Sequence, residues 1–160
     1  MGNKKLVGVT IFGGAVAGVA LLGGLFSPAR DATRDWYRDL EKPSFNPPDV
    51  VFGPVWTTLY ILIATSGYRV WSSEAGSERT RALALWSGQL ALNAAWSPLF
   101  FGAKKPALAL GDILLMDVAS ALYVVTAGKV DRPAAWLMSP YLAWVAFATV
   151  LNAAIVGMND

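Results

Sequence analysis

The charged residues of this chain are confined to short intervals, and this distribution restricts the possible folds more than any other feature. Only 15% of the 160 residues are charged. The long uncharged runs cover 6–29, 50–68, 82–103, 118–128 and 133–159. If 107–128 is taken as one segment, interrupted only by Asp112 and Asp117, the chain has five apolar stretches. A helix needs about 20 apolar residues to cross a hydrocarbon core roughly 30 Å thick, so the sequence predicts an all-α membrane protein with five transmembrane helices.

We expect one domain over 1–160, and its connections differ in length. The five helices are predicted at 6–26, 51–72, 80–102, 107–128 and 133–157. The first connection, 27–50, is the longest, and it carries four prolines: Pro28, Pro43, Pro47 and Pro48. Proline restricts its own backbone and that of the residue before it. We therefore expect an ordered loop between the first two helices, with a short amphipathic helix within 31–40.

Two alternatives concern the ends of the chain and its orientation. A signal peptide is the alternative for the first apolar run, but the 21 residues from Leu6 to Phe26 exceed the 7–15 of a typical signal sequence. Seven Lys and Arg residues lie at one end of the predicted bundle and six at the other. This difference does not set the orientation in the membrane.

The residue types that are missing exclude several kinds of site. The chain has no His and no Cys, which excludes Ser-His-Asp and Cys-His nucleophiles, thiolate metal centres and the usual haem ligands. A net charge of +2, with its Lys and Arg scattered, excludes a nucleic-acid footprint. We expect no metal site and no required cofactor, and a binding or receptor function gains weight.

The seven tryptophans divide into two groups by depth. Trp71, Trp86 and Trp136 fall near helix ends on the N-terminal side, where an indole prefers the headgroup level, and are interpreted as an aromatic belt. Trp56 and Trp96 lie deeper, at a depth shared with Asp112, towards the end of the bundle that carries the long connection. The remaining two are Trp36, in that connection, and Trp144, near the middle of the last helix.

Helical spacing places polar and aromatic residues on one face of three helices. The three stripes are Trp56 and Tyr60; Gln89, Asn93 and Trp96; and Tyr141, Trp144, Ala148 and Asn152. Such groups face the bundle interior in a membrane, where they bond to neighbouring helices or line a cavity. Both interpretations stay open for Gln89 and Asn152, whereas Trp56, Asn93 and Trp144 together favour a cavity for a flat, mostly apolar ligand.

Two further patterns need an interpretation. Asp112 and Asp117 are five residues apart and point about 140° from each other, so they do not form an acid pair. Gly14 and Gly18, like the pairs Ala84 with Gly88 and Ala91 with Ala95, have the spacing of close helix contacts. Packing within the chain is favoured for them over a dimer interface.

The chain contains four motifs in this order: Trp36-Tyr37-x-x-Leu40-x-Lys42-Pro43-Ser44-Phe45-Asn46-Pro47-Pro48, Phe52-Gly53-Pro54-Val55-Trp56-Thr57-Thr58-Leu59-Tyr60, Gln89-Leu90-Ala91-Leu92-Asn93-x-x-Trp96-Ser97-Pro98-x-Phe100-Phe101-Gly102-Ala103 and Pro140-Tyr141-Leu142-Ala143-Trp144-x-Ala146-Phe147-x-Thr149-x-Leu151-Asn152. Together they resemble the translocator protein family, which includes bacterial tryptophan-rich sensory proteins and the mitochondrial peripheral-type benzodiazepine receptor.

The resemblance implies a five-helix receptor, often a homodimer, that binds protoporphyrin IX, isoquinoline and benzodiazepine-like drugs, and sterols. Light-dependent degradation of protoporphyrin, in which Trp56 and Trp144 would take part, and transport of porphyrin or sterol are the alternatives that it leaves open. The pocket residues that it implies are Trp36, Trp56, Tyr60, Asn93, Trp96, Leu108, Asp112, Trp144, Ala148 and Leu151.

The chain departs from the family pattern in two places. Ser44, Phe45 and Val50 stand where many members carry Trp. The C-terminal sterol motif needs an aromatic residue followed by a basic one, and the segment 153–157 supplies neither.

Overall fold

The computed structural model describes residues 2–27 and 31–159, and this part of the chain is almost entirely helical, without strands. Its elements are α1 (Gly2–Leu25), α2 (Asp31–Asp39), α3 (Asp49–Ser72), α4 (Ser77–Ser97), a π-helical segment (Pro98–Gly102), α5 (Pro106–Val130) and α6 (Arg132–Asn159). The short helix predicted within 31–40 is confirmed as α2. Pro28 lies outside the described residues.

Five membrane-crossing helices were predicted, and four helices of the described chain meet the length and hydropathy that crossing requires. Within the described ranges, α1, α3, α5 and α6 are long and apolar enough to cross a membrane. The predicted third helix, 80–102, is divided into α4 and the π-helical segment. α4 begins with charged residues and contains Gln89 and Asn93, which lowers its apolar character. Both amides are buried, so these polar groups face neighbouring helices and not the outside.

The outer surface of the bundle is apolar. Large hydrophobic side chains are exposed on α1, α5 and α6, for example Leu21 (73%), Val125 (63%) and Val150 (59%). Exposed apolar surface of this extent is typical of helices that contact lipid. The described chain is therefore a multi-pass integral membrane protein.

Trp86 packs inside the bundle, which corrects its assignment to the aromatic belt. Its indole is 5% exposed and donates a hydrogen bond from Nε1 to the carbonyl oxygen of Ile63 at 3.0 Å. A Cβ on Gly67 would lie 2.6 Å from Trp86 Cε2, so the indole lies directly against the α3 backbone. Phe12 of α1 covers it, with ring centroids 4.8 Å apart. By contrast, Trp136 is 76% exposed, as a belt residue would be.

Polar contacts join α3, α5 and α6 at the N-terminal end of the bundle. Ser66 Oγ donates to the carbonyl oxygen of Ala134 at 2.7 Å and lies 2.7 Å from the Tyr123 hydroxyl. Arg69 forms a bidentate ion pair with Asp131, at 3.0 and 3.1 Å. Asp131 Oδ1 also accepts the Ala134 backbone N–H at 2.8 Å, the geometry of an N-cap, and so begins α6.

The small-residue stripe of α1 faces outward, contrary to the expected packing within the chain. A Cβ on Gly14 or Gly18 would have no neighbour within 4 Å. Gly88 of α4 is equally open, and Ala84 and Ala91 are exposed. The close helix contacts use other glycines, Gly8 and Gly67, where a Cβ would meet aromatic rings.

The described part of the connection between α1 and α3 is held by contacts with residue 27, the π-helical segment and the end of α6. Thr33 Oγ1 donates to the Ser27 carbonyl oxygen at 2.8 Å. Asn159, at the end of α6, accepts from the Glu41 backbone N–H and donates to the Glu41 carbonyl oxygen, both at 2.9 Å. The Tyr37 ring packs against Phe101 with centroids 5.5 Å apart. α2 is thereby held across one end of the bundle, which we call the cap end.

Candidate functional site

A cavity of about 690 Å³ lies at the cap end, beneath α2 and among all five long helices. This volume is within the range of small-molecule sites. Its walls contain eight aromatic rings: Tyr37, Phe52, Trp56, Tyr60, Trp96, Phe100, Phe101 and Trp144. Aliphatic side chains complete the wall, among them Ile113, Val145 and Leu151. The site is therefore a mostly apolar space bounded by flat surfaces.

The aromatic rings hold one another in place. Trp144 packs edge-on against Phe52 at 5.9 Å and lies 5.5 Å from Phe147. Trp56 contacts Tyr60 at 5.3 Å and Tyr141 at 6.3 Å. Edge-to-face and tilted contacts of this kind are favourable for aromatic pairs. The rings that bound the cavity thus support one another.

Asn93 is the centre of a hydrogen-bonded chain at the inner end of the cavity. Tyr60 donates its hydroxyl to Asn93 Oδ1 at 3.1 Å, and Asn93 Nδ2 donates to the Tyr141 hydroxyl oxygen at 3.0 Å. Tyr141 in turn donates to Met116 Sδ at 3.0 Å. Four helices, α3 to α6, contribute one side chain each. The predicted stripes therefore meet, and their polar groups both bond to each other and line the cavity.

Asn152 also joins neighbouring helices through its amide, nearer the cap end. Trp96 donates from Nε1 to Asn152 Oδ1 at 3.2 Å, and Asn152 Nδ2 donates to the Pro106 carbonyl oxygen at 3.0 Å. These bonds fix the Trp96 indole and the start of α5 to α6. Asn152 is one of the cavity-lining residues as well, so both interpretations left open for it apply. Gln89 is fully buried and lies away from the cavity lining.

The π-helical segment places two phenylalanines beneath α2. Pro98 begins this segment, and the Ala103 backbone N–H donates to the Pro98 carbonyl oxygen at 2.7 Å. A π turn contains an additional residue and rotates the side chains that follow it. Phe100 stacks on Trp96 at 4.8 Å with 21° between the ring planes, and Phe101 packs on Tyr37. Pro98 thus marks the change from α-helix to π-helix.

Seven of the proposed pocket residues line this cavity, and three do not. The seven are Trp56, Tyr60, Asn93, Trp96, Trp144, Ala148 and Leu151. Trp36 and Leu108 line a second, smaller cavity of about 490 Å³ with Lys104 and Lys105. The Trp36 ring packs on Phe100 with centroids 5.8 Å apart, and Leu108 is 55% exposed.

The two intramembrane aspartates differ in their surroundings. Asp112 lines neither cavity, although its neighbour Ile113 lines the larger one. Its Oδ2 is buried and makes no hydrogen bond within the described residues. Asp117 Oδ2 accepts the Thr149 hydroxyl at 2.6 Å, which supplies the partner that the sequence did not identify. The two carboxyl groups form no close pair, in agreement with their spacing.

The cavity mouth carries charged residues that the pocket prediction missed. They are Arg34 and Arg38 of α2 and Asp49 at the start of α3. Burial, with a smaller contribution from Asp49, raises the pKa of the Tyr37 phenol, so this ring stays neutral. The sequence could have identified the two arginines, because they are four residues apart and so share one face of a predicted amphipathic helix. Phe52 could have been identified in the same way, because it lies four residues before Trp56.

No group of three or more Asp or Glu side chains within 2–27 and 31–159 is placed to hold a metal ion. The polar groups that line the described cavity are amides, hydroxyls, indole N–H groups, two guanidinium groups and the Asp49 carboxylate.

Comparison with known proteins identifies the family. The chain is 48% identical over 119 residues to the human translocator protein, covering 73% of this chain and 70% of that protein. It is 36% identical over 161 residues to the tryptophan-rich protein TspO of Chlorobaculum tepidum, covering 98% and 99%. With the tryptophan-rich sensory protein of Cereibacter sphaeroides it shares 37% over 140 residues, 88% and 84% of the two chains. The TspO/MBR family profile matches residues 11–158, so this chain belongs to the TspO/MBR family.

Proposed function

We propose that this chain is a membrane receptor or sensor that binds flat, mostly apolar ligands of the tetrapyrrole class, such as protoporphyrin IX, in the cavity beneath α2. The observation that carries this proposal is an interior space of about 690 Å³ with eight aromatic rings in its walls. Aromatic walls with few polar groups suit planar conjugated ligands. The same space suits isoquinoline and benzodiazepine-like molecules. Sterols have the least support, because 153–157 lack the aromatic and basic residues of the sterol motif.

The proposal includes five membrane-crossing helices and a homodimer. α4 packs against α1, α3 and α5, and its Asn93 amide bonds to α3 and α6, which supports α4 with the π-helical segment as the proposed fifth span. A helix surrounded in this way needs less apolar character than one that faces lipid. The open small residues Gly14, Gly18 and Gly88 allow close approach of a second copy.

Replacing Trp144 by Phe tests the cavity directly. The smaller ring loses part of the contact with a stacked ligand, and we expect the affinity for protoporphyrin IX to fall about threefold to tenfold, the range for one aromatic contact. The measurement is a titration of the purified protein in detergent, followed by tryptophan quenching and by the porphyrin absorption band. The matched control is Trp136→Phe, at an indole that is 76% exposed and distant from the cap end. Equal affinity of both variants would mean that Trp144 does not contact the ligand, and unchanged fluorescence of the unaltered protein would exclude the cavity as a porphyrin site.

Light-dependent oxidation of the bound porphyrin is a second candidate function. It is favoured by one observation, that Trp56 and Trp144 both line the cavity. An excited porphyrin can oxidise an indole in contact with it without any His or Cys; the reduced porphyrin then passes its electron to dioxygen, which is the oxidant that degrades the macrocycle. Illumination of the complex is expected to produce a new absorption band that Trp144→Phe diminishes. Binding with an unchanged spectrum after illumination would leave a receptor and remove the enzyme.

A further inference from the structure

The charges at the cavity mouth are arranged on one face of α2. Arg34 and Arg38 are one helical turn apart, so both side chains reach the same opening. Asp49 is the only carboxylate in the described lining. Among the described lining residues, the charged side chains at the mouth are these two guanidinium groups and this one carboxylate. The remaining lining is aromatic, aliphatic or neutral and polar.

The backbone of Arg38 is held by contacts of its neighbours, and its side chain is exposed. The preceding residue, Tyr37, points into the protein: it is 8% exposed and packs on Phe101. Lys42 Nζ donates to the carbonyl oxygens of Leu40 and Arg38 at 3.0 and 3.4 Å, and it lies 4.5 Å from the centre of the Tyr37 ring. These contacts hold the last turn of α2 above the cavity. The guanidinium group therefore stands where the apolar lining meets water.

A ligand with an acidic group at one edge has a single favourable orientation in such a space. Its carboxylate would lose hydration against the rings at the inner end, where Asn93 is already bonded to two tyrosines. At the mouth, the carboxylate keeps contact with water and meets a guanidinium group, which binds carboxylates through paired N–H donors. Charge and hydration thus favour the same end of the cavity.

We propose that Arg38, with Arg34 beside it, binds a carboxylate of the ligand at the cavity mouth and makes the site selective for planar ligands that carry an acidic edge. This inference rests on the proposed function of the cavity. It adds an orientation for the bound ligand, with the apolar edge towards Trp144 and the acidic edge towards α2. Asp49 opposes the same carboxylate and limits the selectivity.

The test compares protoporphyrin IX, which has two carboxylates, with its dimethyl ester, which has none, on the full chain in detergent. We expect the unaltered protein to bind the free acid about fivefold more tightly than the ester, the upper range for partly exposed ion pairs. Arg38→Gln should remove most of this preference without weakening the ester, whereas Arg38→Lys should retain part of it. Asp49→Asn should change the preference in the opposite direction and increase it. The control Arg81→Gln removes an exposed arginine from α4 at the far end of the bundle and should change neither affinity.

Ionic strength gives an independent measurement. Charges near the surface are screened beyond about 8 Å at physiological salt, so the preference for the acid should decrease as salt is added, while ester binding stays constant. Equal affinity of the unaltered protein for acid and ester would overturn the selectivity and leave the cavity proposal intact. A preference that persists in Arg38→Gln would overturn the assignment to Arg38. If neither compound binds, the proposed function fails and this inference fails with it.

Discussion

Gly67→Ala is expected to destabilise the protein by about 1–3 kcal/mol, the usual cost of inserting a methyl group into a filled core. The new Cβ would lie 2.6 Å from Trp86 Cε2 and Nε1 and 2.7 Å from Phe12 Cδ1. Neither ring has room to withdraw, because Trp86 is bonded to the Ile63 carbonyl oxygen and is covered by Phe12. The indole would have to tilt away from α3, with loss of that hydrogen bond. The measurement is the thermal unfolding midpoint in detergent, followed by circular dichroism.

A matched substitution separates crowding from the effect of the residue change itself. Gly111 lies within α5, is exposed, and would place its Cβ in open space. Alanine is favoured over glycine in a helix interior by about 1 kcal/mol, so Gly111→Ala should leave the midpoint unchanged or raise it slightly. If Gly67→Ala unfolds at the same temperature as Gly111→Ala, the close contact of Trp86 with α3 is not present in the protein.

Asn93→Leu has the second large expected effect, a loss of about 2 kcal/mol, because it removes two buried hydrogen bonds at once. Tyr60 loses its acceptor and Tyr141 loses its donor, both beside the cavity. The leucine also places an apolar side chain against two phenol hydroxyls. We expect a lower unfolding midpoint and weaker binding of protoporphyrin IX, since Tyr60 and Asn93 both line the cavity.

The same change one helical turn earlier is the control. Gln89 Nε2 donates to the Trp86 carbonyl oxygen at 2.9 Å, while its Oε1 is buried with no hydrogen-bond partner in the described structure. Removing an unsatisfied buried group costs little, so Gln89→Leu should be nearly neutral or stabilising and should not affect ligand binding. An equal loss in both variants would show that polarity of α4, and not the Asn93 network, determines the stability.

The positions of the long helices were predictable because charge marks their ends. Asp49, the charges of 129–132 and the lysines before Pro106 lie at helix boundaries, and the helices begin or end within a few residues of them. The assignment of Trp86 to the aromatic belt was wrong because it used only the position of the residue near a helix end. That position gives the depth of an indole in the membrane but not whether the ring faces lipid or another helix. The actual position of Trp86 depends on Gly67, on another helix, which leaves space for the ring.

The candidate site was predictable where a single helix determines it. Asn93 and Trp96 face the cavity because their spacing alone puts them on one face of α4. The direction of Asp112 depends on how α5 is rotated against α4 and α6, which the sequence does not show, and Ile113 lines the cavity instead. Phe100 and Phe101 follow a π turn, so a period of 3.6 residues does not describe their direction.

The polar side chains of α4, the least apolar of the long helices, bear on how the protein is assembled in the membrane. Asn93 finds one partner, Tyr60, in a helix that is synthesised earlier, and another, Tyr141, only 48 residues later. Until α6 enters the membrane, the Nδ2 group of Asn93 has no Tyr141 to bond, and Gln89 gives α4 a second amide. A helix with unbonded amides is held weakly by lipid. The position of α4 in the bundle therefore depends in part on α6, and a chain that stops before α6 would lack the Tyr141 hydroxyl that bonds Asn93.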